Sequence, residues 1–307
     1  MVASEILHAP FYNMKDFVTF SLSRGKTLVV GRQTLVAGTL NVTPDSFYDG
    51  GRYLDVEKAV ARAVEHAEEG ADIIDIGGES TRPGSTPVSL EEELARVIPV
   101  VRAVRERLGP KIIISVDTYK SRVAVEALDA GADIINSIGG FVFDLEMAAV
   151  VARYECPFAM YHVRGTPATM QDGEITYGDV IADITDFFET QIAEGVRQGM
   201  RREQFIIDPG IGFGKTLEHN LEIIRRLGEF KKLGLPILIG VSRKSHIGLL
   251  LKNELCLADV PPAEDRLEAS LAEAVIAVLN GADIIRTHDV AETRRALAVV
   301  DAIKKNV

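Results

Sequence analysis

Short, almost purely apolar runs alternate along this chain with longer stretches in which apolar residues recur at helical spacing. The pentapeptide Gly-Ala-Asp-Ile-Ile marks the rhythm, occurring at residues 70–74, 131–135 and 281–285. Each copy follows an Ala/Val-rich helical pattern and leads into polar residues: Asp75, Glu79, Thr81 and Arg82; Asn136 and Ser137; Arg286, Thr287, His288 and Asp289. The Gly suits the residue just past a helix, where φ turns positive. The Asp-Ile-Ile run reads as a short buried strand. The unit is therefore helix, stop, buried strand and polar tip.

The same alternation covers most of the chain. Strands are predicted at 35–40, 72–76, 111–116, 133–135, 157–161, 205–207, 236–241 and 283–285. Helices are predicted at 57–69, 90–108 (kinked at Pro99), 121–130, 146–154, 178–198, 218–233, 265–280 and 291–303. Apolar strands, each followed by a helix, imply a parallel sheet covered by helices. Eight such units in roughly 250 residues suit a (β/α)8 TIM barrel, with an open doubly wound sheet as the alternative. Two β-like runs, 27–30 and 34–37, flank Gly31-Arg32 and predict a short N-terminal β-hairpin. Residues 1–24 read as a leader with a few apolar anchors, and 25–307 as one domain, because no linker-like segment divides them.

Composition narrows the function classes. The 307 residues carry a net charge of −11, against the basic footprint that nucleic-acid binding needs. No apolar run reaches membrane-spanning length, and the N-terminus lacks the features of a signal peptide. Two cysteines, Cys156 and Cys256, build no disulfide framework and fit a reducing, cytoplasmic setting. Asn41-Val42-Thr43 matches a glycosylation sequon, which without a secretion signal reads as chance.

In a barrel, chemistry gathers at the C-terminal ends of the strands. Those ends collect Asn41, Glu79, Thr81, Arg82, Asp117, Asn136, His162, Asp208, Ser242, Arg243, Lys244, Arg286 and His288. Asp117, Asn136, Asp208 and Lys244 combine acceptors and donors that can read the edge of a flat nitrogen heterocycle such as a 2-amino-4-oxo ring. The plainer reading is helix capping, for which Asp117-Thr118 before residues 119–121 is well placed. Asn41, Arg82, Arg286 and His288 suit a diphosphate carrying Mg2+, with Asn41 as an oxygen ligand of the metal. Surface ion pairs are the plainer reading for either arginine, and a structural hydrogen bond for His288. The run 210–216 looks like a phosphate loop, but that motif needs Gly at 209, where Pro209 stands. Its glycines fit a strand-end turn that a ligand or moving loop approaches closely. The histidines are too scattered for zinc.

These residues resemble one family, the dihydropteroate synthases of folate biosynthesis. The resemblance rests on GTLNVTPDSFYDGG (38–51), DIGGESTRPGS (75–85), SVDTYKSRVA (115–124), HVRGTP (162–167), DPGIGFGKT (208–216), GVSRKS (240–245) and GADIIRTHDV (281–290). It implies a (β/α)8 barrel, usually a homodimer. The implied reaction condenses 6-hydroxymethyl-7,8-dihydropterin diphosphate with 4-aminobenzoate, giving 7,8-dihydropteroate and diphosphate. Carried over, Asp117, Asn136, Asp208 and Lys244 hold the pterin. Asn41, Arg82, Arg286 and His288 hold the diphosphate and its Mg2+. Thr81, Pro83, Phe47, Phe213 and Ser245 frame the aminobenzoate, and Arg82, Lys244 and Asp117 stand as the catalytic residues. In this family the C–O bond breaks first, in a dissociative displacement, and the arylamine attacks the resulting cation; such sites are sulfonamide targets.

The sequence departs from the family pattern at Tyr161 (usually Met), Ser137 (usually Asp), His246 (usually apolar) and Tyr48 (commonly Ser). Tyr161 is expected to narrow the pterin pocket, and His246 and Tyr48 to lie near the aminobenzoate mouth. Two other readings compete. A pterin-binding methyltransferase barrel acting with a corrinoid partner needs no Arg82, Lys244 or Arg286/His288 anion site. A non-catalytic barrel that stabilises a partner enzyme predicts damaged anion-binding loops, which this sequence does not show.

Overall fold

The structure is a computed structural model that describes residues 17–43, 52–82 and 84–305. Eight parallel strands form one sheet: β3 (Leu35–Asn41), β4 (Ile73–Gly77), β5 (Ile113–Asp117), β6 (Ile134–Ile138), β7 (Phe158–Tyr161), β8 (Phe205–Asp208), β9 (Leu238–Gly240) and β10 (Ile284–Thr287). Neighbours run in the order β8-β7-β6-β5-β4-β3-β10-β9. A parallel bridge between Ile207 and Ile237 joins the two remaining edges and closes the ring. The helices are α1 (Arg52–Glu68), α2 (Leu90–Leu108, with Pro99 inside), α3 (Ser121–Ala130), α4 (Glu146–Tyr154), α5 (Val180–Arg197), α6 (Leu217–Arg225), α7 (Ser245–Glu254), α8 (Leu267–Leu279) and α9 (Val290–Lys305).

Strand periodicity divides most apolar strand residues between two cores. Val36, Ile74, Ile76, Ile114, Val116 and Ile135 face outward to the helices. Leu35, Ala37, Ile73, Ile113, Ile134 and Ala159 face inward, where they meet Phe20, Leu22, Leu28 and Val30. These last residues belong to an antiparallel hairpin of β1 (Val18–Ser21) and β2 (Thr27–Val30), which stoppers the N-terminal end of the barrel. The hairpin is real, but its partners differ from the expected ones. Residues 27–30 pair with Val18–Ser21, inside the stretch read as a leader, while 34–37 belong to barrel strand β3. Leu35 and Ala37 fill the barrel interior and must pair in parallel with β10 and β4, which takes that run away from any hairpin.

The repeated pentapeptide has a structural office at this same end. Its glycines sit past the helices at φ +97° (Gly70), +122° (Gly131) and +112° (Gly281), as a left-handed stop requires. Its aspartates each accept the backbone N–H of the preceding strand in the ring: Val36 to Asp72 at 2.9 Å, Ile114 to Asp133 at 3.1 Å and Ile237 to Asp283 at 2.8 Å. Each carboxylate also meets a cation: Arg294 at Asp72, Lys26 and Arg105 at Asp133, and Lys231 at Asp283. The three copies thus clamp the barrel at the end opposite the chemistry.

Two further differences concern helices. The predicted helix 218–233 is α6 followed by a 3-10 segment, Leu227–Leu233. Helix α7 was absent from the expectation. Its buried residues are only His246, Ile247 and Gly248, too few to write a helical stripe.

Candidate active site

Inward positions continue past the apolar plug, two residues at a time, toward the C-terminal rim. They deliver Thr39 and Asn41 on β3, Asp75 on β4, Asp117 on β5, Asn136 on β6, Tyr161 on β7, Asp208 on β8 and Arg286 on β10. Register sets them side by side: Thr39 beside Asp75, Asp117 beside Asn136, and Tyr161 beside Asp208. Asn136 is therefore mid-strand and inward, not a strand-end residue.

Arg286 is the hub. Its Nε donates to Asp75 Oδ2 at 2.5 Å and its Nη2 to Asp117 Oδ2 at 3.1 Å. Burial works against its charge, but Asp75 and Asp117 outweigh that and leave the guanidinium above its ordinary value. Asn136 Nδ2 approaches the same Asp75 oxygen at 3.4 Å. Burial pushes the Asp117 carboxyl up to about 7; Arg286 opposes the rise, Asp75 adds to it, and the hydrogen bond from Tyr161 pulls back. The surface ion pair entertained for Arg286 is thus a buried one. The capping reading of Asp117 fails as well. Helix α3 has no side-chain cap at Lys120, and the Ser121 N–H donates to Asp144 at 2.7 Å.

Asp208 accepts the Gly210 N–H at 2.7 Å and is raised by burial, with the Lys244 charge opposing. Lys244 donates to the Ile211 carbonyl and lies 4.6 Å from the Phe213 ring centroid. Burial lowers it to about 8, against the pull of Asp208. Gly210 shows why the run 210–214 is rich in glycine: its φ is +72°, and a Cβ there would stand 1.9 Å from the His162 carbonyl oxygen. Lys215 is spent inside the protein, on His162 Nδ1 at 2.9 Å and the Phe213 carbonyl at 3.0 Å. That arrangement agrees with rejecting a phosphate loop.

The anion set is looser. Arg82 is exposed and, among the described residues, forms no ion pair; its charge is nonetheless felt at His288. His288 Nδ1 meets Ser242 Oγ at 3.2 Å, and burial followed by Arg286 lowers the imidazole to about 4. It is neutral at pH 7, so it can offer a hydrogen bond but no charge. Asn41 closes β3 at the rim, half-buried. Thr81, Phe213 and Ser245 also lie on rim segments, whereas Phe47, Pro83 and Tyr48 fall outside the described residues.

Several strand-end residues are drawn elsewhere. His162 points behind the barrel, edge-on to Phe187 at 5.0 Å. Glu79 turns to Tyr119 and Lys120, and Lys120 also reaches Glu93 at 2.5 Å. Arg243 is held by Asp289 at 2.7 and 2.8 Å. His246 does not face a mouth; it is buried against Glu273 on α8 at 2.8 Å. The sequence reading passed over Asp75 and Thr39 as site residues. Counting in twos from inward Ile73 and Ala37 would have found both.

A family model described as pterin binding enzyme matches residues 37–288. The dihydropteroate synthase of Synechocystis is 44% identical over 291 residues, spanning 94% of this chain and 97% of that protein. The Escherichia coli dihydropteroate synthase is 48% identical over 269 residues, 87% of this chain and 90% of that one. The Yersinia pestis dihydropteroate synthase, solved with a sulfonamide drug complex, superposes with a TM-score of 0.85 at 41% identity, covering 94% of this chain and 100% of that one. Fold, rim residues and relatives agree, and the chain belongs to the dihydropteroate synthases, within the pterin-binding enzymes.

Proposed function

We propose that this chain condenses 6-hydroxymethyl-7,8-dihydropterin diphosphate with 4-aminobenzoate to 7,8-dihydropteroate and diphosphate. The observation that carries the reading is the convergence of Asp117, Asn136, Asp208, Lys244 and Arg286 inside the C-terminal rim. Three buried side-chain oxygens there, Thr39 Oγ1, Asp75 Oδ1 and Asn136 Oδ1, have no partner among the described residues; buried polar groups left open in this way call for a partner. A pterin edge supplies donors, and Lys244 supplies one to its carbonyl. The relatives' identity leaves the corrinoid-dependent methyltransferase reading unfavoured.

Catalysis then needs no protein nucleophile. Arg82 and Arg286 stabilise the charge that grows on the departing diphosphate, and His288 adds a neutral donor. The C–O bond breaks with its electron pair going to diphosphate. The arylamine nitrogen bonds to the methylene carbon and sheds one proton, for which diphosphate is the strongest base the reaction supplies. The segments around Thr81 and Phe213 position the amine and keep water from the cation. For Mg2+, no cluster of three or more His, Cys, Asp or Glu residues among the described ones suits a metal. Asn41 would give one oxygen, with phosphate and water completing the shell of an ion that keeps several of its waters. When bound it neutralises diphosphate charge. No helix among the described residues is long and apolar enough to cross a membrane; we place the enzyme in the cytoplasm, as a homodimer and a sulfonamide target.

The direct test measures diphosphate release from the purified protein with pterin diphosphate and Mg2+, with and without 4-aminobenzoate. Release matched one-to-one by dihydropteroate is expected. Bound pterin without turnover would reject the synthase reading.

A further inference from the structure

Tyr161 ends β7, is 4% exposed and lies on the inner face level with Asp208. Its hydroxyl donates to Asp117 Oδ1 at 3.0 Å. Its ring meets that of Phe213 at 5.1 Å and 54°. One side chain therefore touches a carboxylate of the ring-reading set and, through Phe213, the segment after β8 placed around the second substrate.

The carboxylate of Asp117 needs such a hold. Arg286 secures one of its oxygens at 3.1 Å, and the Tyr161 hydroxyl secures the other. Each oxygen keeps a second acceptor direction, so the two bonds orient the group without using it up. We propose that Tyr161 is a specificity-determining positioning residue of the pterin subsite: its hydroxyl fixes the Asp117 carboxylate to read ring N–H groups, and its ring with Phe213 walls the pocket. The inference rests on the synthase reading above. It assigns to Tyr161 recognition of the flat heterocycle, with no part in holding the diphosphate.

Calorimetry with two separate probes, 6-hydroxymethylpterin and inorganic diphosphate, tests this division. In Tyr161→Phe, which loses only the hydroxyl, pterin affinity should fall by about tenfold, the scale of a hydrogen bond to a charged group. Diphosphate affinity should stay within about twofold of wild type, a difference too small to report a lost contact. Tyr161→Met, lacking both hydroxyl and ring, should lose at least as much pterin affinity and carries the comparison if the Phe variant does not fold. Unchanged pterin affinity in either folded variant overturns the proposal. So does equal weakening of both ligands, or failure of both variants to fold, since each points to a role in the architecture rather than in recognition. Wild-type protein that binds diphosphate but not the pterin would instead remove the synthase reading itself.

Discussion

At the scale of the residue, this pocket is a set of charges kept where water would prefer to have them. Asp117 illustrates the cost. Its carboxyl is raised from 3.8 to about 7, first by burial. Folding therefore favours its protonated form, and the stability this supplies is present at low pH and lost as pH rises to about 7. Asp117→Asn removes the ionisation. Its stability relative to wild type should improve between pH 5 and 8, by an amount on the order of 1–3 kcal/mol. Melting temperatures at the two pH values read this directly; a pH-independent difference would contradict it. The same variant should lose pterin affinity, so stability and function trade off at one atom group. Two substitutions separate the remaining roles. Asp208→Asn should weaken pterin binding more than diphosphate binding in calorimetry. Arg82→Ala, at an exposed position with no ion pair among the described residues, should cost about 2–4 kcal/mol of transition-state stabilisation with little change in thermal stability. Near wild-type kcat would remove Arg82 from the chemistry.

At the scale of the element, the segments leaving the strands decide which polar groups reach the pocket. The run after β8 turns back on the His162 carbonyl through Gly210. Gly210→Ala must move that backbone and should destabilise the protein by roughly 1–3 kcal/mol, visible in denaturant unfolding, with pterin affinity falling because Asp208 and Lys244 shift with the loop. An unchanged unfolding midpoint would show that the loop adapts freely. The segment after β4 is rooted differently. Glu79 and the fully buried Glu93 share Lys120, with both contacts at 2.5 Å. The root is held by charge, while Arg82 beyond it stays exposed.

At the scale of the whole molecule, α8 and α9 leave Ile276 (48% exposed), Leu279 (53%), Val299 (60%) and Ile303 (57%) open to solvent. The two helices pack on each other, and exposed apolar side chains on both suit a second copy of the chain. Sedimentation should report a dimer, and Ile276→Asp with Val299→Asp should shift it to monomer; a monomeric wild type would remove the assembly. The alternation of apolar runs and helical stripes was legible in the sequence, because strand and helix periods differ and each strand is sealed beneath its own helix. With it came the barrel, the polar rim and most of the residues on it. The hairpin partners were not legible, since 27–30 and 34–37 are equally β-like alone and only the barrel's need for Leu35 and Ala37 inside separates them. Nor was Asp75 at the hub, because an acid in a buried strand becomes intelligible only once Arg286, from the far end of the chain, is seen beside it. The sequence by itself determined which elements form and which side chains could meet at the rim, through local periodicity. Closure of the ring decided which of them do meet, because contacts between strands distant in the chain are settled by register and not by any local signal.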